Sequence, residues 1–156
     1  MACMPLSSFN VGNVRGGIAD VYQLMVWLIW KGYNQMSGPK ILVVDDSWTE
    51  LTLIVAPLRN SGFDVVTAVD GEEAIEKVFK ERPQCVVLDV VLPKQNGFQV
   101  CRKLKSLEFS RNIPIILLTS KSTDLDKSWG LRQGADLYLT KPFKEDDLLA
   151  GVRRLI

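Results

Sequence analysis

The sequence predicts an α/β domain, a doubly wound five-stranded parallel sheet with helices on both faces, behind an apolar N-terminal extension. Three observations carry this reading. From Lys40 onward, short apolar runs alternate with amphipathic stretches of helical period, the pattern of βα units. The runs Ile41–Val44, Cys85–Leu88 and Ile113–Leu118 are apolar throughout, as strands covered on both faces must be. The 156 residues, 47% of them hydrophobic, suffice for one domain with an appendage.

Strand 1 takes residues 40–44. Helix 1 follows, opened by Ser47 with Glu50 at capping-box spacing. Pro57 falls in its interior, where the missing backbone donor predicts a kink, and Asn60–Gly62 ends it. Strand 2 takes 64–68. Asp70 with Glu73 repeats the box and opens helix 2, which stops before Pro83. Strand 3 takes 84–89, helix 3 96–106, strand 4 113–118 and helix 4 123–132. Gly134 separates helix 4 from strand 5, 135–139. Helix 5 runs from 144 to the end, with Arg153 and Arg154 at the negative end of its dipole. Right-handed crossovers suggest the strand order 2-1-3-4-5. In that order strands 1 and 3 flank the switch point, beyond whose carboxyl ends open α/β folds bind ligands.

Residues 1–38 differ in character. They hold three charges, Arg15, Asp20 and Lys31, and a dense apolar stretch, Val21–Trp30. That stretch is well short of the roughly 20 residues a bilayer span needs, so no transmembrane segment is expected. A weakly basic start with no A-x-A-like site is a poor signal peptide. Three readings stay open: a short helix docked on the domain or on a partner, a surface anchor lacking the usual basic face, or an extension that is not part of the native protein, with translation starting at Met36. The folded domain is then 39–156.

Composition excludes several functions. A net charge of +1 gives no global reason to expect nucleic-acid binding. The absence of histidine removes Ser-His-Asp and Cys-His catalysis, histidine-ligated metals and any role as a phosphohistidine donor. Cys3, Cys85 and Cys101 are odd in number and lack C-x-x-C spacing, which argues against a disulfide framework or zinc site and fits a reducing cytoplasm.

Four apolar runs end in residues able to do chemistry: Asp45 and Asp46, Asp89, Thr119, and Lys141. Carboxylates gathered at one edge repel one another, and Mg²⁺ relieves this with oxygen ligands. The expected ligands are Asp45, Asp46, Asp89 and the backbone carbonyl of Val91. One carboxylate can then attack phosphorus to give an aspartyl phosphate. Asp89, alone at its strand end, is the candidate, with Lys141 and Thr119 reaching the phosphoryl oxygens. Each piece also has a plainer role: Asp-Asp as a helix N-cap region, Asp and Thr as strand-end residues, Lys-Pro as a loop dipeptide. The weight lies in all four appearing in register.

These residues resemble the receiver domains of two-component response regulators, the CheY-like family, over residues 39–156. The motifs are Val43–Ser47, Val87–Pro93 with Gly97, Leu118–Ser120 and Tyr138–Phe143. The resemblance implies a flavodoxin-like topology whose 2-1-3-4-5 order is also the family's, so the order is not independent support. It also implies Asp45, Asp46 and Asp89 as the Mg²⁺ cluster and Asp89 as phosphoacceptor. Thr119 is implied as switch hydroxyl, Tyr138 as rotating aromatic, Lys141 as the family lysine, and Lys141–Pro142 as a cis bond. The stretch Ser120–Ala135 resembles PilG/PilH-type regulators of twitching motility and phototaxis, with Trp129 either packing helix 4 or meeting a partner. Departures are Ser120 in place of a small Ala, Pro57, and the apolar extension.

The expected function follows from the resemblance. A histidine kinase, CheA-like or hybrid, phosphorylates Asp89, and the helix 4–strand 5–helix 5 face contacts a downstream output protein. No DNA-binding domain is expected after helix 5. The chain is expected to be no enzyme in the usual sense, but a phosphoacceptor that assists its own phosphotransfer and dephosphorylation. The alternative is a receiver-like interaction module independent of phosphorylation. A flavodoxin-type nucleotide binder is disfavoured because Asp45 and Asp46 repel phosphate, and a haloacid-dehalogenase-type phosphatase because Val91 stands where a second acid is needed.

Overall fold

The computed structural model describes residues 38–156, with Met25 ahead of them. A division of the chain falls between Met36 and Ser37, and the expectations for the apolar stretch Val21–Trp30 lie outside the described residues. The elements are β1 (Lys40–Val44), α1 (Trp48–Asn60), β2 (Asp64–Ala68), α2 (Gly71–Glu81), β3 (Cys85–Leu88), α3 (Gly97–Ser106), β4 (Ile115–Thr119), α4 (Asp124–Arg132), β5 (Leu137–Thr140) and α5 (Glu145–Leu155). The five strands form one parallel sheet in the order β2-β1-β3-β4-β5.

Alternate strand residues feed two cores, one on each face of the sheet. Leu42, Val44, Val86, Leu88, Ile115 and Leu117 pack with Ala74 and Val78 of α2 and Val100, Cys101 and Leu104 of α3. Ile41, Val43, Val87, Ile116 and Leu118 pack with Leu51, Ile54 and Leu58 of α1 and Leu148 and Val152 of α5. A strand with apolar residues on both sides has no solvent face, which is why β1, β3 and β4 read as unbroken apolar runs.

Register delivers the strand ends to one rim. Val44 pairs with Leu88, and Leu88 with Leu117. The pairing continues one step past the strands, since the Asp89 amide donates to the Val44 carbonyl at 2.9 Å and the Asp45 amide to Ala68 at 3.1 Å. Thr119 pairs with Thr140 on the other side, which brings Lys141 to the same edge.

The helix starts depart from expectation in one respect. Ser47 and Asp70 each accept from the amide three residues on, but neither glutamate returns the bond. Glu73 accepts from Val69, one residue before its cap, and Glu50 pairs with Lys141. The reciprocal capping box is instead at α3, between Asn96 and Gln99. Helix α1 continues through the buried Pro57, and the carbonyl that its missing donor would have met belongs to the exposed Leu53. β4 and β5 begin two residues later than predicted. The Asp136 amide and carboxylate are spent on Ile115 at 2.9 and 2.8 Å, which closes the edge before β5 starts.

Candidate functional site

Asp45 is the first residue past β1 and is 1% exposed. A carboxylate at that depth needs donors, and it has two: the Ser47 amide at 2.9 Å and the Lys141 ammonium at 2.8 Å. Asp89, just past β3, is 7% exposed. It accepts from the Val91 amide at 3.3 Å and from Lys141 at 3.4 Å. Lys141 also forms a close ion pair with Glu50, on the first turn of α1. Carboxylate oxygens of Asp45, Glu50 and Asp89 lie within 4.8 Å of one another.

The electrostatics follow from that crowding. Burial pushes the Asp45 carboxyl above the usual range, and the bonds from Lys141 and Ser47 offset this only in part. The bond from Lys141 holds the more accessible Glu50 below its ordinary value. Burial works to lower Lys141, but its bonds to Asp45 and Glu50 and the field of Asp89 outweigh it, so the ammonium is favoured.

Close backbone approach fixes the geometry around Asp89. A Cβ added at Gly97, the first residue of α3, would sit 2.1 Å from the Asp89 carbonyl oxygen and 2.7 Å from the Val90 Cα. Only glycine lets α3 begin there, and its amide bonds Val90 at 2.9 Å.

Thr119 is fully buried at the end of β4, and its hydroxyl accepts a long bond from the Lys121 amide at 3.4 Å. Its carbonyl receives the Lys141 amide at 2.9 Å, which ties β4 to the turn carrying the lysine. The Lys141–Pro142 bond in that turn is cis. Tyr138 is half-buried and donates its hydroxyl to the Lys121 carbonyl at 2.7 Å. Burial, with Asp126 and Asp89 nearby, pushes its phenol up to about 12. Gly130 of α4 lies against it, since a Cβ there would come within 2.9 Å of the Tyr138 ring.

Of the residues expected at the rim, the structure brings together Asp45, Asp89 and Lys141. Asp46 stands apart, exposed where the chain turns out of the sheet. The carboxylate that joins the group is Glu50, which the sequence reading spent on a helix cap. A Glu at the third helical position after a strand-end acid is the one signal that could have found it. Val91 is 53% exposed, and Trp129 is 52% exposed, so it is only partly packed on the domain. The clustered donors are all hard oxygens, the set that Mg²⁺ takes.

Residues 41–153 match the family model of the response regulator receiver domain. The chain is 46% identical over 117 residues to the alkaline phosphatase synthesis transcriptional regulatory protein PhoP of Bacillus subtilis (strain 168), covering 75% of this chain and 48% of that one. It thus spans about half the length of that curated relative. Among solved structures, the chemotaxis response regulator CheY4 of Vibrio cholerae matches with a TM-score of 0.72 at 32% identity, over 77% of this chain and 100% of that one. The receiver domain of sensor histidine kinase PA1611 from Pseudomonas aeruginosa PAO1, solved with a magnesium ion in its active-site cleft, matches with a TM-score of 0.71 at 33% identity, over 76% and 98%. Among the described residues, no helix is long and apolar enough to cross a membrane.

Proposed function

The chain belongs to the response regulator receiver family, and from that premise we propose that it is a phosphorylation switch whose acceptor is Asp89. One observation carries this reading: Lys141 bridges Asp89 to the buried Asp45 at the sheet rim, with Glu50 completing an oxygen-only cluster. Asp45 and Asp89, with Asp46 and the Val91 carbonyl, would hold Mg²⁺. When bound, the ion neutralises charge on the transferring phosphoryl group.

The Asp89 carboxylate attacks the phosphorus of a kinase phosphohistidine. The new oxygen–phosphorus bond forms as the phosphorus–nitrogen bond breaks, and its electron pair leaves with the imidazole. Lys141 meets one phosphoryl oxygen and the Thr119 hydroxyl another. The added charge, about −1.5 to −2, draws Thr119 inward. Tyr138 then gives up its bond to Lys121 and follows, which biases the α4–β5–α5 face toward one of two packings.

The donor is a histidine kinase, CheA-like or hybrid, and the reader is a downstream output protein in the cytoplasm. The chain itself is a phosphoacceptor that assists its own phosphotransfer and dephosphorylation. The stretch Ser120–Ala135, with its half-exposed Trp129, supports a role of the PilG/PilH type in pilus motility or taxis.

The test is labelling by an acyl-phosphate donor with Mg²⁺, read by intact mass. Wild type gains one phosphoryl group and Asp89→Asn gains none. Full labelling of the variant would reject Asp89 as the acceptor.

A further inference from the structure

We propose that Glu50 is a positioning residue: it shares Lys141 with Asp45 and so keeps the ammonium from closing on Asp89. The proposal rests on reading Asp89 as a phosphoacceptor beside a Mg²⁺ site. Lysine has three N–H donors, and the structure aims Lys141 at three carboxylates. Glu50 and Asp45 are in direct contact with the ammonium, Asp45 at 2.8 Å, and Asp89 is farthest at 3.4 Å. A charge-assisted N–H···O bond is normally about 2.7–2.9 Å long, so Asp89 holds the weakest of the three bonds.

The partners differ in freedom. Asp45 is buried and fixed by the Ser47 amide. Glu50 comes from another element, α1, and its side chain is 42% exposed. Solvent can therefore also satisfy its carboxylate, yet it takes one N–H of a lysine that is only 13% exposed. With the Glu50 charge removed, the charged acceptors left in the cluster are Asp45, already bonded at 2.8 Å, and Asp89, toward which the freed N–H can close. A tight Lys141–Asp89 pair would compete with both the cation and the phosphoryl group for the same carboxylate oxygen. Charge points the same way. The three clustered carboxylates and one ammonium leave a net −2, and the loss of Glu50 makes the site less negative by one charge, which weakens its attraction for a cation.

The test is a double-mutant cycle on Mg²⁺ affinity, measured by calorimetric titration of the full chain. The proteins are wild type, Glu50→Gln, Lys141→Met and the double variant, each checked for folding by circular dichroism. Glu50→Gln is expected to weaken Mg²⁺ binding by about tenfold when Lys141 is present and by less than about threefold when it is absent. In acyl-phosphate labelling, Glu50→Gln should raise the Mg²⁺ concentration needed for half-maximal rate. Unchanged Mg²⁺ affinity in Glu50→Gln would overturn the proposal. So would an equal loss in both backgrounds, because Glu50 would then act on the ion without Lys141. If the cycle shows the coupling but no protein is labelled, the role of Glu50 stands and the assignment of Asp89 as acceptor falls.

Discussion

Neutralising Asp89 while keeping its shape asks whether charge holds the rim together or pushes it apart. The Asp89 carboxylate lies 3.4 Å from the Lys141 ammonium and within 4.8 Å of carboxylate oxygens of Asp45 and Glu50. At an effective dielectric of about 20, the attraction is about 5 kcal/mol and each repulsion at least about 3.5 kcal/mol. The two repulsions exceed the attraction by about 2 kcal/mol, so an ionised Asp89 weakens the cation-free fold. Asp89→Asn removes all three interactions and keeps an acceptor for the Val91 amide. Screening and the lost charge-assisted bond trim the gain, and the variant should be more stable than wild type by about 1–2 kcal/mol in chelator at low salt. Urea denaturation reads this as a higher midpoint at unchanged slope. Added Mg²⁺ should then stabilise wild type by linkage and the variant much less. A variant less stable than wild type in chelator would refute the reasoning, because Lys141 would then be holding Asp89 at a net gain.

Alkaline stability should fall through the buried thiols. Burial raises Cys101 from the ordinary 9.0 to about 11, so the unfolded chain loses that proton first; the stabilisation is whole below 9.0, and about 2–3 kcal/mol of it is lost as pH rises through about 11. Urea midpoints measured across that window should decline less steeply in Cys101→Ala. Thr119→Val removes a hydroxyl whose one bond within the protein is 3.4 Å long, so stability should change by less than about 1 kcal/mol. Labelling of Asp89 should persist in that variant while the NMR response of Tyr138 to phosphorylation is lost; an intact response would remove Thr119 from the switch. Gly97→Ala drives a Cβ against backbone atoms of Asp89 and Val90 that cannot rotate aside. It should cost at least about 2 kcal/mol in urea unfolding and slow Asp89 labelling; wild-type values for both would show that the β3–α3 junction yields.

The sheet was legible because its central strands have no solvent face. β1, β3 and β4 are buried at nearly every position, so their residues must be apolar and their polar ends stand out. Asp45, Asp89 and Lys141, which the structure brings together, stand out in that way. The place of Glu50 in the group was not legible, for a different reason. Which carboxylate turns inward depends on the direction in which the chain leaves β1, and on a contact between Glu50 and Lys141, 91 residues apart. No local pattern encodes either. Capping was legible only in half, because spacing shows which side chains can reach back to a helix start but not which have a stronger partner elsewhere. At Glu50 a charged lysine competes with a neutral amide, and the charge-assisted bond wins.

The rest of the domain shows how unusual the rim is. Among the described residues no buried side-chain nitrogen or oxygen lacks a partner, and an exposed pair such as Lys80 with Glu76 matches one ammonium to one carboxylate. At the rim one ammonium serves three carboxylates. Hydrogen bonding there is satisfied, yet charge is not, and the two are separate requirements: a hydrogen bond needs one proton for each acceptor, whereas neutrality needs one cation for each carboxylate. A sequence shaped only for the resting fold would meet both, since Asn in place of Asp89 keeps the geometry and removes the repulsion. The chain instead leaves an excess of negative charge in a place that side chains of the domain do not neutralise. A local cost with no compensation among the side chains of the domain is the electrostatic mark of a site for a positive charge from outside it.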